Sequence, residues 1–303
     1  MHNETDTALY VGIDLGGTRL KMGLIDADGT VLSSENQPTN DDREAIYRAI
    51  ETYIRTCGHP IKGLGMSMPG IIDDTGYAVT SGAIKSLLHQ HVQDELIERL
   101  QMPIAVTNDG RSAALAEGWT GAAKDVADYI VFTLGTAIGG GIVIDGKLRG
   151  GIGGLAGEFG VALANLCDGH YEEHSFAFHA ATVAGLCRSY SYAVHERVLD
   201  AREIYRRADT GDPIAAECIE AFHQAVAIMC VNAAVTIGPE LMVIGGGISA
   251  NEHAMAEIRR RYDDIATAYP ILGKVRMPQI KTAVHQNNAG MVGAVRRCMT
   301  LPA

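Results

Sequence analysis

The chain has 303 residues, of which 47% are hydrophobic and 20% charged, and its formal net charge is −11. This length is sufficient for two domains with buried cores, and the composition is typical of a soluble globular protein. The acidic balance argues against a nucleic-acid or anionic-membrane surface, because either would need clustered Lys and Arg. We therefore expect neither nucleic acid nor a membrane as a partner.

The N-terminus and the cysteines give the expected compartment. The first residues are polar, no signal-peptide core follows them, and no apolar run suggests a membrane span. The six cysteines form no CxxC pair and no spacing typical of a disulfide framework. Together these features predict a protein of the reducing cytoplasm.

The first predicted element is a glycine-rich hairpin. An apolar run ends at Asp14, Gly16, Gly17 and Thr18 follow, and a second apolar run comes next. This order predicts strand, tight turn and returning strand. A turn of glycines can lay its N–H groups against a phosphate, and Asp14 can hold a metal ion directly or through water. For this stretch alone, an ordinary glycine-rich hairpin is the alternative.

Alternating strand and helix patterns continue the first half of the chain. Pro69 and Gly70 stop one strand, and Asn108 and Asp109 join another strand to an alanine-rich helix. The predicted strands are 31–35, 61–68 and 103–107, and the predicted helices are 42–57, 90–100 and 111–118.

A second hairpin repeats the plan of the first. The apolar run 129–134 leads into Gly135 and Thr136, and another apolar run ends at Asp145 and Gly146. Two glycine turns that both carry threonine favour a duplicated domain over a chance resemblance.

The remaining sequence is mostly helical. Residues 150–160 are too rich in glycine for regular structure and are predicted to form a site loop. A buried strand at 241–244 continues into Gly245, Gly246 and Gly247. The segment 175–208 is predicted to be mainly helical, with further helices at 213–236, 252–266 and 289–299.

Six motifs occur in the order found in ROK-family sugar kinases, and the chain resembles that family over nearly its whole length. The motifs are Asp14-x-Gly16-Gly17-Thr18, Asn108-Asp109, Gly135-Thr136, Ala156-Gly157-Glu158-x-Gly160, Ile244-Gly245-Gly246-Gly247 and Ala289-Gly290. The similarity is greatest to the β-glucoside kinase and glucokinase-like members that lack the structural zinc. It implies an α/β fold of two ribonuclease H-like domains of the actin/hexokinase ATPase type with an interdomain cleft. The small domain would be 1–116 plus 289–303, and the large domain 117–288.

The resemblance also implies a reaction: ATP-dependent phosphorylation of a sugar hydroxyl, the 6-hydroxyl of glucose or of a β-glucoside. Phosphoryl transfer depends mainly on positioning and charge neutralisation, with a base to accept the hydroxyl proton. Asp109 would be that base, and its alternative role is a helix N-cap. Asn108, Asp109, Glu158 and Gly70 would bind the sugar. The alternatives are a turn amide for Asn108 and a solvated surface position for Glu158.

The same resemblance assigns the nucleotide and its cofactor. Mg²⁺ would accompany ATP, Asp14 would position it through water, and the protein would be a homodimer. Arg19 and Lys21 are predicted to lie on a solvated face of their strand. For the three glycines after strand 241–244, a simple strand-to-helix turn is the alternative. The ATP-binding residues would be Asp14, Gly16, Gly17, Thr18, Gly135, Thr136, Gly245, Gly246 and Gly247.

The sequence departs from the family around position 161. Val161 stands where most relatives have His, and the zinc-binding cysteine cluster is absent. Cys167, His170 and His174 have the spacing of metal ligands but no fourth ligand nearby, so we predict no zinc site. Near Phe178, a sugar site with fewer hydrogen-bonding groups would tolerate an aglycone or a second sugar.

Other functions compete with a glucose or β-glucoside kinase. N-acetylmannosamine is an alternative sugar. A sugar-sensing regulator is disfavoured, because regulators of this family carry an N-terminal helix-turn-helix, whereas here the first strand begins by residue 9. An ATPase without sugar kinase activity, acting on another protein, is disfavoured by Asn108 and Asp109 together with Glu158.

Overall fold

The computed structural model describes residues 8–301, which form two compact units. The first unit contains the described residues up to Asp125, Leu148–Gly157 and those from Asn287 onward. The second contains Val126–Lys147 and Glu158–Gln286. The domain boundaries expected from the sequence, 1–116 plus 289–303 and 117–288, remain a prediction.

The first unit is built on a five-stranded sheet. Its elements are β1 (Leu9–Leu15), β2 (Arg19–Asp26), β3 (Val31–Pro38), α1 (Arg43–Thr56), β4 (Ile61–Met68), α2 (Val92–Leu100), β5 (Ile104–Asn108) and α3 (Asp109–Thr120). The strand order is β3-β2-β1-β4-β5. Strand β1 pairs antiparallel with β2, and β2 antiparallel with β3, whereas β4 and β5 run parallel to β1.

The second unit repeats this plan. Its elements are β6 (Tyr129–Leu134), β7 (Ile138–Ile144), β8 (Lys147–Leu148), α4 (Phe176–Ala180), α5 (Arg188–Val194), α6 (Ala201–Asp209), α7 (Pro213–Ile237), β9 (Leu241–Gly245), α8 (Glu252–Ala268) and β10 (Gln279–Thr282). Its sheet has the order β8-β7-β6-β9-β10, in which β6 pairs antiparallel with β7 and parallel with β9, and β9 runs parallel to β10. The duplication predicted from the two hairpins therefore extends to both sheets, and the predicted α/β class is confirmed.

Local signals set most helix boundaries. Asp42 begins α1 by accepting a hydrogen bond from the Ala45 N–H at 2.9 Å, as an N-cap residue does. Helix α7 begins with Pro213 and ends at Gly238, whose φ of 66° suits glycine. The segment 175–208, predicted to be mainly helical, is α4, a π-helical stretch Thr182–Cys187, α5 and α6, with non-helical residues between α5 and α6.

Helix α7 is long and apolar enough to cross a membrane, by length and composition alone. The expectation that no apolar run suggests such a span was therefore wrong for this helix. Half of its most apolar window is buried, and Phe222, Val226 and Cys230 belong to the core of the second unit. Its apolar composition is accounted for by that core.

The last helix, α9 (Ala289–Met299), packs on the first sheet above a row of small residues. Gly23, Gly12 and Gly65 are direct neighbours across β2, β1 and β4. A Cβ on Gly65 would lie 2.1 Å from the backbone carbonyl of Ala294, and one on Gly12 would lie 2.9 Å from the Cβ of Met291. The helix can therefore approach the sheet this closely only because the row lacks side chains.

This contact predicts that Gly65→Ala destabilises the protein. Overpacking a rigid contact costs about 1–3 kcal/mol, so we expect the thermal midpoint to fall by about 5–10 °C. The matched control is Gly273→Ala, because a Cβ at Gly273 would meet its nearest atom at 3.5 Å, an ordinary contact. Equal midpoints for the two variants would contradict this account of how α9 packs.

Candidate active site

A row of polar residues crosses the first sheet one pleat beyond the glycines. Lys21 lies opposite Asp14, Asp14 opposite Ser67, and Ser67 opposite Thr107. Residues paired in this way share one face of a sheet. The row is at the carboxyl ends of β1, β4 and β5, where ligands of open α/β sheets usually bind.

Asp14 is held in an environment that disfavours its charge. Burial, and then the negative charge of Asp109, raise the pKa of the Asp14 carboxyl to about 6, whereas Ser67 and Lys21 act in the opposite direction. A Cβ on Gly290 would lie 2.5 Å from the Asp14 carboxylate, so the first turn of α9 touches this side chain. A cation bound here would favour the ionised form.

The turn after β1 has a defined backbone shape. The Gly16 N–H donates to the Arg19 carbonyl at 2.8 Å, and the Thr39 hydroxyl donates to the Gly16 carbonyl at 2.9 Å. The Thr39 N–H also donates to the carbonyl of Thr18. Gly17 and Thr18 are exposed. The turn is thus fastened by the residue that follows β3, while its tip stays open to a ligand.

Asn108 is the N-cap of α3. Its Oδ1 accepts from the Arg111 N–H at 3.1 Å, and its Nδ2 donates to the Gly70 carbonyl at 2.7 Å. Gly70 has a φ of 101°, and a Cβ there would lie 2.3 Å from the Thr80 carbonyl, so only glycine fits. The structure brings Asn108 and Gly70, both predicted to bind the sugar, into contact, and the capping role considered for Asp109 belongs to Asn108.

Asp109 is the first residue of α3. Its Oδ1 accepts from the Gly110 N–H at 2.8 Å, and its side chain is exposed. Burial among neighbouring protein atoms nevertheless raises the pKa of its carboxyl. The two observations are compatible, because a recessed carboxylate can touch solvent while fewer water molecules than usual surround it.

Arg111 was not identified from the sequence. This fully buried guanidinium donates to the Ile72 carbonyl at 3.0 Å and to the Gly150 carbonyl at 2.7 Å, and it lies 3.8 Å from the Asp74 carboxylate. It ties α3 to two loops, including the start of the glycine-rich segment predicted to be a site loop. An Arg in an alanine-rich helix directly after Asn108-Asp109 was the available signal.

The second unit contains an equivalent turn after β6. The Gly135 N–H donates to the Ala137 carbonyl at 3.0 Å, two residues on, whereas Gly16 donates to Arg19, three residues on. The Thr182 hydroxyl donates to the Leu134 carbonyl, and the Ala184 N–H donates to the Thr136 carbonyl, both at 3.1 Å. The turn is therefore held by the π-helical stretch, while Thr136 itself is exposed.

The glycines after β9 adjoin that turn. Thr133 lies opposite Gly245 in the parallel pairing of β6 with β9. Gly246 has a φ of 89°, and a Cβ on it would lie 2.3 Å from the Leu134 carbonyl. The structure thus brings Gly135, Thr136 and the glycine run together, with Gly246 and Gly247 exposed.

Glu158 belongs to the second unit, whereas Asn108, Asp109 and Gly70 belong to the first. It is partly buried and immediately precedes a short 3₁₀ turn, Phe159–Val161. A Cβ on Gly160 would lie 2.9 Å from the Ile138 carbonyl, which seats this turn against β7.

The neighbourhood of Val161 is apolar. Val161 is 63% exposed, and Leu163 is also exposed. Phe178 is covered by the guanidinium of Arg188, whose carbon lies 4.3 Å from the ring centre. Burial, and then Arg188, lower the pKa of His179, which favours a neutral imidazole.

Across residues 8–301, no three Cys, His, Asp or Glu side chains converge as metal ligands would. Cys167, His170 and His174 accordingly do not form a cluster of this kind.

The sequence matches the ROK family over residues 10–298. The chain belongs to the ROK family. It is 30% identical to a β-glucoside kinase of Klebsiella pneumoniae over 93% of each chain. A ROK family protein of Streptococcus pneumoniae in complex with sucrose superimposes with a TM-score of 0.86 at 25% identity, covering 96% of this chain and 98% of that one. A ROK family glucokinase of Streptomyces griseus in complex with glucose and AMPPNP gives 0.79 at 27% identity, covering 95% and 98%.

The raised pKa of Asp14 makes stability in this ROK-family protein depend on pH. Ionising Asp14 costs more free energy in the folded state than in the unfolded state. The resulting loss of folding stability therefore grows as the pH rises from about 4 to about 6 and is constant above. It is at most about 3 kcal/mol, at about 1.4 kcal/mol per pKa unit. In chelator, Asp14→Asn should therefore raise the thermal midpoint at pH 8 and raise it much less at pH 4.5, where only about a third of the cost is present.

The control for this experiment is Asp28→Asn, at an exposed carboxylate in the turn between β2 and β3. It should shift the midpoint by a similar small amount at both pH values. If Asp14→Asn lowers the midpoint at pH 8, the carboxylate is stabilising and our account of its environment is wrong.

Proposed function

We propose that this protein, a sugar kinase of the ROK family, transfers the γ-phosphoryl group of ATP to the 6-hydroxyl of glucose or of a β-glucoside, with Asp109 as the general base. The observation that carries the proposal is the pair of carboxylates in the first unit. Asp109 is exposed at the start of α3, and its negative charge raises the pKa of Asp14. Two neighbouring carboxylates suit a reaction in which one binds a cation and the other accepts a proton.

The environment of Asp109 supports the role of base. A base must be ionised to accept a proton, and a carboxyl whose pKa is raised binds that proton more strongly. The Gly110 N–H and the N-terminus of α3 hold the carboxylate in place and offset part of the cost of its charge. Asn108, fixed by Gly70 and Arg111, would orient a sugar hydroxyl beside it.

The environment of Asp14 fits a divalent cation. A partly buried carboxylate with a second acid nearby and one cationic side chain opposite is undercompensated. Mg²⁺ commonly binds through one or two carboxylates, several waters and the substrate phosphates. When bound, the ion would neutralise phosphate charge. The protein's part is to hold Asp14 against the first turn of α9.

The nucleotide would be bound by backbone and small side chains. In the first unit these are Gly16, Gly17 and Thr18, and in the second Gly135, Thr136 and the run Gly245–Gly247. Each turn is fastened by a threonine hydroxyl from another segment, which leaves its exposed tip free for phosphate. Preformed turns of this kind keep the entropy cost of binding low.

Glu158 would bind sugar hydroxyls, and the apolar surface around Val161 favours a β-glucoside over free glucose. An exposed Val at this position offers no hydrogen bond to a hydroxyl but can pack against an aglycone or second sugar. The kinase of Klebsiella pneumoniae, a β-glucoside kinase by name, supports this substrate class. The relative crystallised with sucrose supports a site in this family that holds a disaccharide.

The base assignment predicts that Asp109→Asn lowers kcat by about 10²–10⁴-fold. The KM for sugar should stay within about threefold, because the amide keeps the size and the Gly110 hydrogen bond. Asp94→Asn, at an exposed acid in the first turn of α2, is the control and should leave kcat unchanged. Turnover near the wild-type rate in Asp109→Asn would refute the assignment.

The substrate assignment predicts that the wild-type kcat/KM is higher for cellobiose than for glucose. Val161→His should move the ratio toward glucose by about tenfold, because an imidazole can bond a hydroxyl where the valine packs against a second sugar. Leu199→His, an equally exposed apolar position preceding α6, is the control. Strict preference of the wild type for glucose would contradict the assignment.

A further inference from the structure

Lys21 makes contacts that a solvated strand residue does not. Its Nζ donates to the Asn288 Oδ1 at 2.5 Å and to the Asn287 carbonyl at 3.1 Å. These partners are more than 260 residues away in sequence and immediately precede α9. The prediction of a solvated face was therefore wrong for Lys21, whereas Arg19 is exposed as expected.

The contact engages the side chain of Asn288. Asn288 is the last residue of a 3₁₀ turn, Gln286–Asn288, that runs directly into α9, and its φ of −103° and ψ of −7° are helical. Its side chain therefore does not cap α9, and its oxygen accepts from Lys21. The start of α9 is thus fastened to β2 rather than capped by its own residue.

The fastened turn is the one that touches Asp14. Gly290, two residues after Asn288, packs against the Asp14 carboxylate, and Asp14 lies directly opposite Lys21 in the β1–β2 pairing. The contacts form a closed loop from Lys21 through Asn288 and Gly290 to Asp14 and back across the strands. A carboxylate at the N-terminal end of a helix is also stabilised by the helix dipole, so its distance from that turn affects its charge.

We propose that Lys21 is a positioning residue for nucleotide binding, which holds the first turn of α9 against Asp14 and so fixes the carboxylate that receives Mg·ATP. This inference rests on the proposed function of Asp14. Lys21 itself acts through Asn288 and Gly290. Loss of its ammonium would release the Asn288 side chain and let the turn move relative to the carboxylate.

The test compares Lys21→Met, Lys21→Arg, Asn288→Ala and the double variant Lys21→Met/Asn288→Ala. Lys62→Met, at an exposed lysine on β4, is the control. Binding of Mg·ADP is measured by calorimetry, and KM is measured separately for ATP and for sugar. A merely structural lysine would affect both substrates alike, so the two KM values separate the roles.

We expect Lys21→Met to weaken Mg·ADP binding and raise the KM for ATP by about tenfold, a change of about 1.4 kcal/mol. The KM for sugar should stay within twofold. The double variant should be no more than twofold worse than Lys21→Met, because both changes break one interaction. Lys21→Arg should recover most of the affinity, and Lys62→Met should match the wild type.

The proposal is overturned if Lys21→Met binds Mg·ADP within twofold of the wild type or if both KM values rise together. It is also overturned if the affinity losses of Lys21→Met and Asn288→Ala multiply in the double variant. A wild type that binds Mg·ADP but phosphorylates no sugar would refute the proposed function. In that case the binding data on Lys21 still decide the present inference.

Discussion

The close approach of α9 to the first sheet is the constraint on which the candidate site depends. Three glycines lie side by side on adjacent strands, and at Gly65 the helix backbone comes so near that one added carbon would overlap it. Because the helix lies this close, its first turn reaches the polar row just beyond the glycines. Gly290 then meets Asp14, and Asn288 meets Lys21. A packing requirement thus determines where a charged group is held.

That charged group is costly to the folded protein. Asp14 is partly buried, is opposed by Asp109, and has a pKa raised to about 6. Of the groups that shift this pKa, only Ser67 and Lys21 favour the charged carboxylate. Sites that hold such uncompensated groups are usually functional, because the missing charge is supplied by a ligand. The two glycine turns proposed to bind phosphate are fastened from behind by Thr39 and Thr182 while Thr18 and Thr136 at their tips remain exposed.

Local patterns in the sequence were sufficient for most elements and for the glycine turns. The strand β10 was not predicted, since Gln279–Thr282 has four residues and a single apolar side chain, Ile280, which is too little for a strand period to show. The π-helical stretch was predicted to be ordinary helix, and the hydrogen bonds from its first N–H groups to the Gly135 and Thr136 carbonyls join segments too far apart in sequence for a local pattern to show. Lys21, Asn288 and Arg111 owe their roles to contacts with distant segments, which no local pattern encodes. Asn108 and Asp109 were recognised as a pair, but only the structure assigns the cap to Asn108.

The two sheets share one strand order, and each presents a threonine-bearing turn after its first strand, as expected of a duplicated fold. The most direct test is a coupled assay of ADP release over a panel of sugars, run with Mg²⁺ and again with chelator. We predict ADP release that requires a sugar, is greatest with β-glucosides and stops when Mg²⁺ is removed. ADP release that is independent of every sugar in the panel would contradict the account.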